Sequence, residues 1–386
     1  MIAVDVRAPL WSIGFRPFYL VASSFAAISI CLWAAQASGH LPFAYLEGSA
    51  WHGHEMLFGY TMAVMAGFLL TAVRNWTGRP TASGGWLCGL AILWIAGRVL
   101  VLTPFALTAA VINAAFPAAL AVAIGIPLVQ ARNARNYFFI GLLLGMSALV
   151  LTLHLGLQGM IDLPAHADLQ LGLDVVLFIM AVMAGRVTPM FTNNGVPGAA
   201  AGRQPWIERF ALGSVIALFA GDLLQLADSA IAAVAFVAAA AHGARLLLWQ
   251  SMRTLRTPLV WILHAAYAWI VVHLALRGCA ALGWIATSFA THALTTGAIG
   301  GLTLGMMVRT ARGHTGRRLL ADRWEVAMFA LVQLAACVRT FGGVVDSAWY
   351  VPAMELGGVL WCAAFALYAI RYWPVLTQAR ADGRPG

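Results

Sequence analysis

The sequence predicts an all-α integral membrane protein with twelve transmembrane helices, and three observations support this fold class. The 386 residues are 62% hydrophobic and only 10% charged, whereas a soluble domain carries roughly 25% charged residues. Apolar runs of about 20 residues, the length that crosses a bilayer, recur along the whole chain. All 23 basic residues are arginines, and they concentrate on one side of the predicted spans.

The predicted spans fill the chain and leave no room for a soluble domain, so residues 1–386 are interpreted as one polytopic membrane domain. The spans lie at about 17–37, 54–73, 86–105, 106–130, 137–157, 168–187, 207–226, 229–249, 258–278, 289–308, 323–341 and 349–373. The third and fourth spans are joined through Thr103 and Pro104 with almost no loop.

The arginines predict the orientation of the chain in the membrane. With the N-terminus in the cytoplasm, 20 arginines fall at cytoplasmic ends, and only Arg98, Arg277 and Arg339 fall in outer halves. Because cytoplasmic loops carry an excess of arginine and lysine, both termini are expected in the cytoplasm. The net charge of +9 is therefore a topology signal, and no nucleic-acid partner is expected.

The acidic residues and the cysteines indicate which kinds of site the protein can contain. Nine acids lie in outer halves or outer loops, and of these Glu55, Asp174 and Asp222 are predicted to deliver protons from the periplasm. The five cysteines are scattered and form no C-x-x-C pair, which argues against a sulfur-ligated zinc site or a covalently attached haem.

An internal repeat relates three parts of the chain. His54, Gly59 and Gly67 align without gaps with His292, Gly297 and Gly305 at an offset of 238 residues. The segment AVMAG at 63–67 recurs at 181–185. These matches predict three four-helix units, at about 17–130, 137–249 and 258–373. Small residues also recur in membrane helices simply because they permit close helix packing.

Eight histidines are candidate metal ligands, because a histidine in a membrane bundle is typical of haem or copper ligation, a proton relay or an interhelical hydrogen bond. They are His52, His54, His154, His242, His264, His273, His292 and His314. His52 and His54 are about 200° apart on a helix, and His264 and His273 about 180° apart. Neither pair can therefore face one ligand from a single regular helix.

His54 and His292 are the best candidates for the two axial ligands of one haem, because the repeat places them at similar depth near the outer surface. A low-spin haem takes two axial imidazoles on opposite faces. Arg98, Arg277 and Arg339 are candidates for binding its propionates, since guanidinium pairs with carboxylate. Packing against lipid headgroups is the alternative for all of these side chains.

Arg186 lies beside a Thr-Pro pair and ahead of two asparagines, in the sequence GRVTPMFTNN at 185–194. This pattern suggests an unwound helix end that lines a polar cavity, so Arg186 is a further candidate for binding the cofactor. An ordinary interfacial end of the helix is the alternative.

Several motifs resemble those of the NnrS family. They are FRPF at 15–18, WHGHEMLFGY at 51–60, AGFLLTAV at 66–73, NWTG at 75–78, GRVTP at 185–189, LHAAY at 263–267, HALT at 292–295 and GHTGR at 313–317. The resemblance covers nearly the whole chain. It departs from the family pattern at Thr188, where isoleucine is frequent, and at Asn193, where a basic residue is common.

The resemblance implies a bacterial inner-membrane protein that contains haem b and copper and is linked to nitric oxide (NO) metabolism and nitrosative stress. Three four-helix units are also similar in architecture to the haem-copper oxidase and nitric oxide reductase core, without a shared motif. The copper-site histidines expected on the sixth and seventh spans are replaced by Asp174 and Asp222. A copper or second haem would have to use His154, His242, His264 or His273.

Three functions remain open at this point. The first is a haem protein that handles NO, with NO reduction as its reaction and an electron donor as its partner. The second is a transporter or a metal- or haem-delivery protein, since repeats and broken helices also occur in transporters. The third is a sensor that binds NO or haem without turnover.

Overall fold

The computed structural model describes residues 5–41, 45–162, 165–344 and 346–384, and this part of the chain is helical and contains no β-strand. Its long helices are α1 (Phe15–Ala37), α2 (Gly48–Thr77), α3 (Gly84–Leu100), α4 (Ala106–Gln130), α5 (Phe138–Leu157), α6 (Ala165–Gly195), α7 (Pro205–Leu223), α8 (Asp228–Leu248), α9 (Pro258–Ala281), α10 (287–314), α11 (Arg323–Phe341) and α12 (Tyr350–Thr377). Short 3-10 turns lie at Pro9–Trp11, Ala134–Asn136, Ser251–Thr254 and Ser347–Trp349.

The lengths and composition of these helices suit a membrane protein. Within the described residues, nine helices are long and apolar enough to cross a bilayer, and α3, α7 and α10 fall outside that set. Large apolar side chains such as Ile92, Val237 and Val359 are more than half exposed, which suits contact with lipid tails rather than water. The all-α membrane class is thus confirmed, and the crossing of the bilayer by all twelve helices stays a prediction.

The structure corrects the expected unwinding beside Arg186. Helix α6 continues without interruption from Ala165 to Gly195, with Pro189 inside it. A proline removes only one backbone hydrogen bond, and unpaired peptide groups are costly in an apolar environment, so the helix keeps its remaining bonds. The Thr192 hydroxyl adds a bond by donating to the carbonyl of Thr188, at 2.8 Å.

Several helix boundaries also differ from the predicted spans, and two of them lie close to Arg98 and His54. Helix α3 ends at Leu100 rather than near 105, because the chain turns at residues 101–104 ahead of α4. Helix α2 begins at Gly48, six residues before the predicted start of the span. His54 therefore lies in the second turn of a helix, with helical backbone on both sides.

The described chain divides into two compact units. Unit 1 comprises the residues up to Gly172, Thr310–Arg318 and the residues from Ala369 onward. Within it α1 packs on α2, and α4 packs on both α3 and α5. Unit 2 comprises Leu173–Arg309 and Leu319–Tyr368. Within it α9 packs against α8 and α10, and α10 also packs against α11.

Helices α2 and α10 each contain one π-helical segment. These segments are Glu55–Thr61 and Ala293–Ile299, which match residue for residue at the repeat offset of 238. In both cases the segment directly follows the histidine that the repeat aligns. π-Helical turns are rare and often occur at functional sites. The shared irregularity favours the predicted relation between these two segments.

A glycine lies at the same position of both π-helical segments and permits close packing there. A Cβ atom on Gly59 would collide with the Arg98 guanidinium and the Phe25 ring, and one on Gly297 would collide with the Trp269 ring. At the offset of 118 residues that relates 63–67 to 181–185, the π-helical segment of α2 corresponds to residues 173–179, which are α-helical. The three-unit architecture therefore stays a prediction.

Helix α11 begins with a complete capping box. The Asp322 carboxylate accepts the backbone N–H of Trp324 and Glu325, and the Glu325 carboxylate accepts the N–H of Asp322. Replacing Asp322 with alanine should lower the free energy of unfolding by about 1 kcal/mol, measured by thermal unfolding in detergent. Asp346→Ala, which caps only a short 3-10 turn, is the control. An unfolding temperature unchanged in Asp322→Ala would contradict the capping role.

Candidate functional site

A line of buried polar side chains runs through unit 1. The Tyr45 hydroxyl lies 2.9 Å from Nδ1 of His154, and Nε2 of His154 lies 3.0 Å from Nε2 of His54. Nδ1 of His54 lies 2.7 Å from Oε1 of Glu55. His54, His154 and Glu55 are fully buried. The structure thus brings together three residues that the sequence predicted separately, and it adds Tyr45.

The Glu55 carboxylate is held by a buried arginine. Arg98 donates from Nη1 to Oε1 of Glu55 at 2.7 Å and also donates to the amide oxygen of Asn113. Asn113 in turn donates to the carbonyl of Ala109 at 2.8 Å. Because the pair is buried, removing either partner would leave a charge uncompensated. Arg98 is thereby committed to Glu55 and Asn113, rather than directed at a haem propionate.

An apolar cluster positions Tyr45 at the end of this line. Leu46, Trp51, Val101 and Ala109 form its buried core, and Tyr45 packs against them. Burial raises the pKa of the Tyr45 hydroxyl, and the negative charge of Glu55 raises it further against the opposing effect of Arg98. Tyr45 is therefore a phenol, with a proton to donate, at any physiological pH.

His52 does not join this line. Its ring stacks on Trp33 with centroids 4.3 Å apart, whereas His54 faces His154. This divergence agrees with the expectation that residues two apart on a helix point to different sides.

Unit 2 contains a second buried group of charges. Arg277 on α9 donates to Oδ1 of Asp174 at 2.6 Å and also bonds the carboxylate of Asp222. The sequence predicted that Asp174 and Asp222 deliver protons, and the structure joins them through one arginine. One guanidinium can neutralise only one of two carboxylates, so this buried group depends strongly on Arg277.

His273 lies one helical turn before Arg277. Its Nδ1 donates to the carbonyl of Ala290 at 2.8 Å. Its Nε2 is buried and has no hydrogen-bond partner in the part of the chain that the structure describes. A buried polar atom without a partner is costly. A histidine whose Nδ1–H is fixed on a carbonyl directs the Nε2 lone pair outward, as metal-ligating histidines do.

Nδ1 of His292 is likewise held by a backbone carbonyl. Its Nδ1 lies 2.7 Å from the carbonyl of Ser288. The Ser288 hydroxyl accepts from Nη2 of Arg339 at 3.3 Å, and Nη2 also lies 3.4 Å from the Tyr350 hydroxyl. In the described residues Arg339 has no carboxylate within ion-pair distance, so its charge is available to an anionic group.

Two other candidate ligands have both ring nitrogens in hydrogen bonds. His242 contacts the Tyr267 hydroxyl at 2.6 Å and the carbonyl of Ala211 at 3.0 Å. His264 contacts the hydroxyls of Thr192 and Ser251, at 2.8 and 3.0 Å. These contacts fit interhelical hydrogen bonding, which was the alternative to metal ligation. His314 lies against the Phe15 ring, with centroids 5.6 Å apart.

The glycine that precedes Arg186 has a packing role. Arg245 forms a bidentate pair with Glu208, at 3.0 and 2.9 Å, and donates to the Ala181 carbonyl. A Cβ atom on Gly185 would collide with this guanidinium. Arg186 itself does not lie at an unwound helix end, so its predicted role in binding a cofactor is left without structural support.

The region around His54 and His154 and the region around His273 and His292 differ in how well they fit a haem. Two imidazole nitrogens on opposite sides of a metal lie about 4 Å apart, whereas Nε2 of His54 and Nε2 of His154 are 3.0 Å apart in a hydrogen bond. A haem iron at His54 would require that bond to break. His273 and His292 fit better, because their Nδ1 atoms are already fixed on carbonyls. Among the described residues no group of three or more histidine, cysteine or acidic side chains is arranged to hold a metal ion.

The model of the NnrS family, described as NnrS protein, matches residues 9–380. The chain belongs to the NnrS family. A search of curated proteins found no significant match. Family membership confirms the resemblance carried by the motifs, and both the buried line in unit 1 and the charge group in unit 2 lie inside the matched range.

Two of the NnrS-family motifs lie at the π-helical segments of the structure. WHGHEMLFGY contains His54, Glu55 and most of the first π-helical segment, and HALT begins at His292 directly before the second. His54 and His292 belong to different units, so their pairing across one haem stays a prediction. Sequence reasoning missed Tyr45 and Asn113. Asn113 could have been found as a polar residue inside an apolar span, whereas nothing in the sequence marks Tyr45.

Proposed function

We propose that this NnrS-family protein binds a haem b in unit 2 and handles nitric oxide at the bacterial inner membrane. The observation that carries the proposal is Nε2 of His273, which is buried and without a hydrogen-bond partner in the described chain. His273 and His292 are the proposed ligands. The arginine distribution supports cytoplasmic termini, which would put this region near the periplasmic side.

The chain's own residues would hold and orient the cofactor. Arg339 lies beside His292 through Ser288 and offers a guanidinium to a propionate. When bound, the haem would supply an iron that binds NO and exchanges electrons. Copper remains a second proposed metal, without an assigned set of ligands.

The acidic pair of unit 2 suits reductive chemistry. Reduction of two NO to N2O and water consumes two electrons and two protons, so an NO-reducing enzyme needs proton carriers and an electron donor. Asp174 and Asp222, both paired with Arg277 on the helix that carries His273, are the proposed proton carriers. NO reduction is the proposed reaction. Binding of NO without turnover, as a sensor, is the alternative.

Optical spectra of the purified protein test the haem. We expect a Soret band that is lost in His273→Ala and in His292→Ala, because each removes one iron ligand. His264→Ala is the matched control on the same helix, since both of its ring nitrogens are in hydrogen bonds, and it should keep the band. Haem content per protein should follow the spectra.

The other outcomes separate the alternatives. A band lost in His54→Ala and His292→Ala but kept in His273→Ala would replace our ligand pair with the one that the repeat predicts. A colourless protein that a transported substrate stabilises against heat would favour transport or delivery. A reduced haem protein whose Soret band does not change on addition of NO would contradict NO handling.

A further inference from the structure

The buried line in unit 1 is continuous over four side chains. Each of its three links is between 2.7 and 3.0 Å: from Tyr45 to His154, from His154 to His54, and from His54 to Glu55. Both ring nitrogens of both histidines are used in these links. One end lies in the loop between α1 and α2, where Tyr45 is half-buried, and the other lies at a fully buried carboxylate.

We propose that Tyr45, His154 and His54 form a proton path from the loop between α1 and α2 to the carboxylate of Glu55. Histidine carries protons readily because each ring has one nitrogen that can accept a proton and one that can release it. A path of this kind needs an unbroken series of hydrogen bonds, and unit 1 provides one.

The partners determine where the protons lie at rest. Arg98 and Nδ1 of His54 both point at Oε1 of Glu55, so Oε1 accepts two hydrogen bonds and Nδ1 of His54 carries a hydrogen. Nε2 of His54 is then an acceptor, and His154 donates to it from Nε2. Nδ1 of His154 accepts from the Tyr45 hydroxyl. Every donor along the line therefore points toward Glu55.

Transfer of one proton reverses this order. A proton from water binds the Tyr45 oxygen as Tyr45 passes its own proton to Nδ1 of His154. His154 releases the Nε2 proton to Nε2 of His54, and His54 releases the Nδ1 proton to Glu55. One proton has entered and one proton has been gained by the carboxylate, with no change of charge on the three carriers. The histidines must regain their original proton positions before the next transfer.

The far end of the path has a free acceptor. Oε2 of Glu55 is buried and has no hydrogen-bond partner in the described chain, while Oε1 takes both donors. A carboxylate with one free oxygen can receive a proton at one atom and present it from the other. Arg98 is the charged group that faces Glu55, and it neutralises the carboxylate at rest.

The charges favour a proton over a metal ion at the two facing histidines. Glu55 and Arg98 already form a neutral pair, so a metal ion between the rings would add uncompensated positive charge in a buried region. The nitrogens are also at hydrogen-bond distance, and no third ligand of the kind metals prefer completes a site in the described residues.

The path does not depend on the proposed haem. It stands on contacts within unit 1, and its use as a proton supply for NO reduction is the only part that rests on the proposed function. Measuring the protonation of Glu55 directly, with no haem signal, therefore tests the path independently of the haem. A protein without haem could still show the path, and a haem protein could lack it.

Time-resolved infrared spectroscopy after a downward pH step, on protein in lipid nanodiscs, measures the transfer. The carboxyl band of protonated Glu55 is identified by its loss in Glu55→Gln. Tyr45→Phe keeps the ring packing and removes the entry hydroxyl, so the band should rise by roughly 100-fold more slowly, the order by which one positioned proton carrier accelerates transfer. Its final height should match that of the unchanged protein.

Two further variants complete the test. His154→Gln interrupts the middle of the path, so the carboxyl band should rise as slowly as in Tyr45→Phe. Tyr137→Phe, on another tyrosine of unit 1 that is more exposed, should leave the rate unchanged. A band that rises equally fast in Tyr45→Phe and in the unchanged protein would overturn the path. So would a tightly bound transition metal that is lost in His154→Gln.

Discussion

Replacing Arg98 with methionine is expected to lower the free energy of unfolding by about 3–5 kcal/mol, the cost of leaving a buried charge without its partner. Glu55 is 1% exposed, so water cannot take the place of the guanidinium. Asn113 would lose its charged donor as well. The measurement is thermal and chemical unfolding of the protein in detergent or nanodiscs.

A double variant provides the control for this prediction. The double variant Glu55→Gln with Arg98→Met has no unpaired carboxylate at position 55. Its free energy of unfolding should therefore be much closer to that of the unchanged protein. This recovery separates the charge effect from lost packing of Arg98 against Phe25 and Trp94, whose rings lie 5.9 and 5.8 Å from the guanidinium carbon. A double variant no more stable than Arg98→Met would show that packing, not charge, is the cause.

Arg277→Met should have an effect at least as large, because it strands two acidic side chains at once. Asp174 is fully buried and Asp222 is 18% exposed. We expect a loss of about 3–5 kcal/mol, measured by the same unfolding experiments. Since protonation neutralises a carboxylic acid, the deficit should shrink as the pH is lowered.

A surface ion pair of the same unit provides the matched control. Arg203 pairs with Glu208 at 3.0 Å but is 46% exposed, and exposed pairs contribute only about 0–1 kcal/mol. Arg203→Met should therefore be nearly neutral. If Arg277→Met and Arg203→Met destabilised the protein equally, the buried triad would have no special role. Asp222→Asn combined with Arg277→Met should regain part of the stability.

The outcome for the histidines shows what spacing can and cannot establish. Helical periodicity correctly separated His52 from His54, because side-chain direction follows from position on one helix. It could not join His54 to His154, since these residues come from helices 100 positions apart in the chain. A contact of that kind depends on which helix faces which, and apolar spans of similar composition give no such information.

The acidic residues also show what the sequence can and cannot predict. Intramembrane carboxylates are expensive, so their occurrence in spans predicted that Glu55, Asp174 and Asp222 have partners. The identity of each partner came only from packing: Arg98 for the first, and Arg277 for the other two. The arginine in each case had been assigned to haem propionates, because the sequence shows a guanidinium in the outer half of a span but not the carboxylate that reaches it.

The sequence by itself determined the membrane class and the approximate place of every long helix, because burial in lipid requires long apolar runs. Its motifs determined the family. Only the tertiary structure decided where α2 begins, that α6 continues past Pro189, and which polar groups meet inside each unit. The physical reason is that lipid acts on every span alike, whereas hydrogen bonds and ion pairs between helices depend on angstrom-scale positions. These positions follow from side-chain packing, as at Gly59 and Gly297, where the missing Cβ admits a neighbouring side chain.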